Sequence, residues 1–177
     1  MPNKFHDLVR VLQADHVRFV LIGVAGANYY AAAASVLFAT RDRDLFLPPD
    51  PDNLMRAWRA CESLGLELTG SGEPLDQPRD RWLAQQIVDR RALTRADDGR
   101  GLEVDLTLVM AGFEFEAAWT SRQKFTVDLV ELPVAQLVHI VASKAAAGRP
   151  KDRLFLETHK EALRELLPRE DSPRRGA

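Results

Sequence analysis

The sequence predicts an α+β protein, a mixed β-sheet flanked by helices with further helices at its C-terminal end. Three observations predict it. Short apolar runs and one faultless alternating stretch mark strands early and in the middle of the chain. Amphipathic stretches at helical spacing lie between them. From the last third of the chain onward the helical patterns dominate.

Taken in order, Phe5, Leu8, Val9 and Leu12 recur at helical spacing, so the chain opens with an amphipathic helix. Phe19-Val20-Leu21-Ile22 is an apolar run ending at Gly23 and reads as a buried strand. Small residues from Ala25 to about Ala34 favour helix. Asp44 to Leu47 reads as a strand stopped by Pro48 and Pro49. Asp50 or Asp52 caps the next helix and Gly65 ends it. Leu54, Ala57, Trp58, Cys61 and Leu64 share one face of that helix, which makes Cys61 a core residue rather than a nucleophile.

Thr69 to Asp80 is polar and rich in Gly and Pro, the composition of a loop. Trp82 to Thr94 is ambiguous, with helix in its first half and strand from Ile87 to Thr94. Asp97-Asp98-Gly99-Arg100-Gly101 is a turn signal. After it Leu102 to Leu108 alternates apolar and polar, with Glu103, Asp105 and Thr107 on the polar face, so a hairpin across Gly99 is expected. Phe113 to Ser121 reads as helix and Thr126 to Leu132 as strand. Val134 to Ala147 reads as a helix capped by Gly148, and Pro150 opens a final helix to about Leu167. Residues 1–167 are then one domain, and residues 168–177, short, charged and without large apolar side chains, read as a disordered tail.

Composition narrows the function. The net charge of -2 argues against a protein that coats nucleic acid. A single cysteine forbids an internal disulfide and fits a reducing compartment. The N-terminal stretch is charged throughout, with no apolar core of a signal peptide. The longest apolar run, around Phe19 to Ala39, is broken by Gly23, Gly26, Asn28 and two tyrosines, so no membrane span is expected. A cytoplasmic location follows as the expectation. There is no nucleophilic triad, zinc pattern or Walker-type loop. The four histidines show no ligand spacing, with His6, His16 and His159 placed on polar faces and His139 alone on its helix. Trp58 and Trp82 read as core or interface anchors, while Tyr29 and Tyr30 either pack or line a pocket.

The informative segment is Thr40-Arg41-Asp42-Arg43-Asp44. Residues two apart on a strand share a face, so Asp42 and Asp44 project side by side. Two carboxylates that close repel one another unless a cation or a shared proton intervenes. A third carboxylate on a neighbouring strand would complete a site for magnesium, and Asp105 lies on the polar face of the best strand. An alternating Arg-Asp run is also what a solvated edge looks like.

The chain resembles the nucleotidyltransferase superfamily typified by DNA polymerase beta, especially its small bacterial members related to the AbiEii toxins. Phe19-Val20-Leu21-Ile22-Gly23 is similar to the family's first strand, and Thr40 to Asp44 to its Thr-x-Asp-x-Asp strand. Leu102 to Leu106 is similar to the strand with the third aspartate. Lys144 to Asp152 is similar to the family's late lysine helix and its Arg-x-Lys-Asp run. The resemblance spans about Phe19 to Leu167. It implies a polymerase beta-like nucleotidyltransferase fold and transfer of a nucleoside monophosphate from a nucleoside triphosphate to a hydroxyl of RNA or protein. It implies magnesium or manganese on Asp42, Asp44 and Asp105. Gly23, Thr40, Lys144, Arg149 and Lys151 would bind the nucleotide, and an antitoxin is the implied partner. Two positions depart from the pattern. Val24 stands where the family has a second small residue, and Arg43 where it has an apolar one, which suggests an exposed or partner-covered edge. The alternatives are an inactive member of the fold acting as a binding partner, or a nuclease using the same carboxylates.

Overall fold

A computed structural model of the chain describes residues 3–167; the expected tail at 168–177 lies outside them. Its centre is an eight-stranded mixed sheet flanked by helices, the α+β class expected. The strands are β1 (Val20–Ile22), β2 (Asp42–Phe46), β3 (Glu67–Gly70), β4 (Glu73–Pro74), β5 (Thr94–Asp97), β6 (Glu103–Thr107), β7 (Gln123–Val127) and β8 (Val130–Val134). They lie in the order β4-β3-β5-β6-β2-β1-β8-β7. β2 runs antiparallel to β1 and parallel to β6, and β1 runs parallel to β8.

The helices divide between the two faces. α1 (Lys4–Ala14), α3 (Pro51–Ser63) and α4 (Arg81–Arg90) cover one face, packing on Leu21, Leu45, Val104, Leu106 and Ala96. This is the larger core, and Trp58 is its biggest buried side chain, with its indole N–H donating to Thr94 Oγ1 at 3.1 Å. The other face is covered only in part. α2 (Gly23–Ala31), α5 (Phe115–Ser121), α6 (Leu137–Ala147) and α8 (Lys160–Leu166) bury Val20, Ile22 and Phe46 in a smaller core, with Phe155 of α7 (Pro150–Thr158) packed against it. Beyond Phe46 this second face becomes polar, which is where the carboxylates stand.

Several expectations change. Thr69 to Asp80 holds the end of β3 and the two-residue β4, because Ser71 and Gly72 take positive φ, at 52° and 81°, and close a tight hairpin that composition alone reads as loop. The helix after Asp80 runs on to Arg90, leaving only Thr94–Asp97 as strand, and Asp80 caps it by accepting from Leu83 N. The expected single strand from Thr126 to Leu132 is a hairpin, β7 and β8. Asp128 and Leu129 both take positive φ, at 50° and 63°, giving the two-residue turn that matches strand twist. Asp128 tolerates this conformation, but Leu129 is not a turn residue, so the sequence carries only half of the usual turn signal. Val134 ends β8 rather than starting a helix. The last helix is broken at His159 into α7 and α8. Leu64 and Trp82 are exposed, the latter at 70%, so neither is a core anchor, whereas Cys61 is buried with its thiol pushed up to about 12 by desolvation.

Candidate functional site

β2 supplies Asp42 and Asp44 on one face, two residues apart. Parallel pairing with β6 sets Asp42 opposite Glu103 and Asp44 opposite Asp105. On the far side of β6, antiparallel β5 sets Arg95 opposite Asp105 and Asp97 opposite Glu103. One row across three strands therefore reads Asp44, Asp105, Arg95, and cross-strand partners share a face. The expected hairpin across Gly99 produces this register. Asp98 closes its turn by accepting from Arg100 N and Leu102 N, at 2.8 and 3.0 Å.

The start of β2 is held from the side. Asn28 on α2 accepts from Phe38 N at 2.7 Å and donates to Phe38 O at 2.9 Å, fixing the segment that leads into Thr40. β2 is an interior strand, so Arg43 does not mark an edge. Its guanidinium lies 5.2 Å from the Phe5 ring on the opposite face, a cation–π contact against α1. That contact lets a charged residue occupy a position where an apolar one was expected.

Gly23 ends β1 and opens α2 with φ of +69°. A Cβ there would stand 2.3 Å from Asp44 Oδ2. Both the backbone conformation and the closeness of the carboxylate require glycine. The first turn of α2 thus faces the aspartates, with its backbone N–H groups unsatisfied within the helix.

From the opposite wall come α6 and α7. Asp152, 1% exposed, accepts from Arg149 Nε at 2.6 Å and from Lys144 Nζ at 3.3 Å. Burial alone would raise its carboxyl, but these two cations outweigh it and hold it below the ordinary value. Asp152 therefore holds Arg149 and Lys144 in place. Thr40 is exposed, its hydroxyl donating weakly to the Asp42 carbonyl at 3.3 Å.

Gly23, Thr40, Asp42, Asp44, Asp105, Lys144, Arg149 and Lys151 all line one open cleft of about 920 Å³. Val24 lines it too, with its side chain packed against the smaller core. Tyr29 and Tyr30 do not; both pack on Phe125, and Tyr30 donates to Ala135 O at 2.7 Å. His6 is buried with Nδ1 2.9 Å from Asp128, and His159 packs between Phe38 and Phe155 at the cleft wall. The helical periodicity could not show either placement, since Asp128 and Phe38 come from distant segments.

Sequence reasoning missed Arg95. Its Nε donates to Asp105 Oδ1 at 2.7 Å and its Nη2 to Oδ2 at 3.0 Å. It also stands 3.8 Å from Asp42 and 3.6 Å from Glu103. Counting residues outward from the Gly99 turn would have paired Arg95 with Asp105, had the strand before the turn been placed correctly.

The electrostatics follow from this packing. Asp44 is pushed up to about 6, first by desolvation and then by Asp105 and Asp42; Lys144 and Lys151 pull the other way. Glu103 is raised by its hydrogen bond to Asp42, by desolvation and by the charge of Asp42. Carboxylates under such mutual repulsion are a hard, oxygen-only donor set, which fits magnesium or manganese. Asp42 and Asp44 are the pair open to the cleft. Among the described residues no three acidic, histidine or cysteine side chains converge as a ready metal cage. Asp105 has both oxygens committed to Arg95.

The fold and the cleft define an α+β protein with a carboxylate pair facing fixed cations across the polar face of a mixed sheet. No model of a known protein family matches the chain, and no curated protein matches it. Among the described residues no helix is long and apolar enough to cross a membrane.

Proposed function

We propose that the chain is a metal-dependent nucleotidyltransferase of the polymerase beta-like fold. It would move a nucleoside monophosphate from a nucleoside triphosphate to a hydroxyl of RNA or protein, releasing pyrophosphate. The observation that carries the reading is the contact between Gly23 and Asp44. It brings a glycine turn, a helix N-terminus and a carboxylate pair to one point, opposite Lys144 and Arg149. Phosphate favours a helix N-terminus and basic side chains, and the carboxylates provide for the metal that phosphate chemistry uses.

Asp42 and Asp44 would hold magnesium or manganese, which when bound neutralises charge on the triphosphate and on the departing pyrophosphate. The first turn of α2 presents backbone N–H groups to the phosphates. Lys144, Arg149 and Lys151 supply positive charge on the other wall, with the first two held by Asp152. Asp105, once free of Arg95, would complete that metal site beside Asp44 and help accept the proton of the attacking hydroxyl. The setting would be the cytoplasm, and the role that of a toxin with an antitoxin partner; this part rests on the family resemblance alone.

Two observations favour a second reading, an inactive member of the fold that serves as a binding partner. Val24 fills space beside the glycine turn, and Arg95 ties up the third carboxylate. One experiment separates the two. The protein is incubated with each labelled nucleoside triphosphate, magnesium and total tRNA, beside Asp44→Ala. Label on tRNA or on protein from the native chain alone supports the enzyme. No label, together with no rise in melting temperature on adding nucleotide and magnesium, supports the binding protein.

A further inference from the structure

We infer that Arg95 is a resident counter-ion that competes with divalent metal for the carboxylates, so that metal enters as the guanidinium leaves Asp105. The inference rests on the reading of Asp42, Asp44 and Asp105 as a metal site. Four carboxylates, Asp42, Asp44, Glu103 and Asp105, share one face of two adjacent strands. Arg95 reaches three of them: it binds both oxygens of Asp105 and lies within 4 Å of Asp42 and Glu103.

A guanidinium fork matches one carboxylate with two parallel hydrogen bonds, which is the strongest neutralisation a side chain can offer. Here it occupies the charge position that a divalent ion would take if Asp105 completed the site. Two cations cannot share those oxygens, because like charges a few ångströms apart repel strongly in a half-buried cleft. Asp44 is the carboxylate Arg95 does not reach, and it stands beside Asp105 and Asp42 in a desolvated position. The arrangement therefore neutralises one side of the cluster and leaves the other in need of charge.

Departure of Arg95 is physically cheap for the fold. Its side chain is 37% exposed and lies along the cleft wall rather than in either core. The residue pairs with Thr69 on β3 through its backbone, so the strand keeps its ladder when the side chain swings away. Bound metal and bound arginine are then two alternative states of one carboxylate set, coupled by a free energy that must act in both directions.

The test is a manganese titration of the full chain, native, Arg95→Gln and Asp105→Asn, followed by loss of the free manganese signal in electron paramagnetic resonance. Removing the competitor is expected to tighten manganese binding about tenfold in Arg95→Gln, while Asp105→Asn binds more weakly than Arg95→Gln. Equal or weaker binding by Arg95→Gln overturns the competition and leaves the metal site standing. No binding by any of the three overturns both. The native chain gives a second readout that does not depend on a variant folding. Saturating magnesium should shift the Arg95 Nε–H resonance from its hydrogen-bonded position; a resonance that stays in place overturns the inference.

Discussion

Replacing Gly23 by alanine tests the join between the helix N-terminus and the carboxylates. Two costs follow from the structure. An alanine held at φ of +69° pays the left-handed penalty of an L-residue, about 1 to 2 kcal/mol. Its Cβ would also lie 2.3 Å from Asp44 Oδ2. Because that atom ends a short side chain, the carboxylate rather than the backbone gives way. Turning Asp44 off its preferred rotamer costs on the order of 1 kcal/mol. The sum is about 2 to 3 kcal/mol, or a fall in melting temperature of roughly 4 to 12 °C for a chain of this size. The double mutant separates the terms. In an Asp44→Ala background no carboxylate oxygen opposes the new Cβ, so Gly23→Ala should cost only the backbone share. Urea unfolding of the four proteins gives the coupling directly. A coupling indistinguishable from zero, with Gly23→Ala as costly in both backgrounds, would refute the reasoning that Gly23 is shaped by Asp44.

Two further outcomes are expected. Removing Asp152 by Asp152→Ala leaves Lys144 and Arg149 without their buried partner, and stability should fall by about 3 kcal/mol in a urea midpoint measurement. A loss under about 0.5 kcal/mol would show that the two cations are held by something else. Asp44 carries a pH signature, because its folded-state value of about 6 exceeds the ordinary 3.8. The folded state then binds the proton more tightly than the unfolded state. That contribution is present below pH 4 and is lost as pH rises through about 6, a swing of roughly 3 kcal/mol. Asp44→Asn has no such titration, so relative to the native chain it should gain stability between pH 4 and pH 8 in thermal melts; a flat difference across that range contradicts the repulsion.

The legible parts of the fold were those with a local cause. Phe5, Leu8, Val9 and Leu12 bury one stripe of α1, and Val20 to Ile22 are buried on every side, as their spacing requires. The Gly99 turn with its flanking alternation gave the hairpin but not its register, because the strand before the turn was expected at Ile87 to Thr94 and lies at Thr94 to Asp97. The illegible parts had causes elsewhere in the chain. Leu129 adopts a left-handed turn conformation its side chain does not prefer, imposed by the pairing of β7 with β8. The break at His159 comes with packing of its ring on Phe38, more than a hundred residues earlier.

The site divides in the same way. The spacing of Asp42 and Asp44 determined that they share a face, and the alternation around Asp105 determined that it points to a polar surface, because side-chain direction along a strand is a local property. Only the tertiary structure decided that β2 and β6 are neighbours in register, which sets Asp44 against Asp105. It also decided that Lys144 and Arg149 face them from α6 and the start of α7, held by a buried Asp152, and that Arg95 already occupies the third carboxylate. Strand neighbours and charge partners are chosen by burial of the two cores and by long-range Coulomb contacts, and neither leaves a period in the sequence.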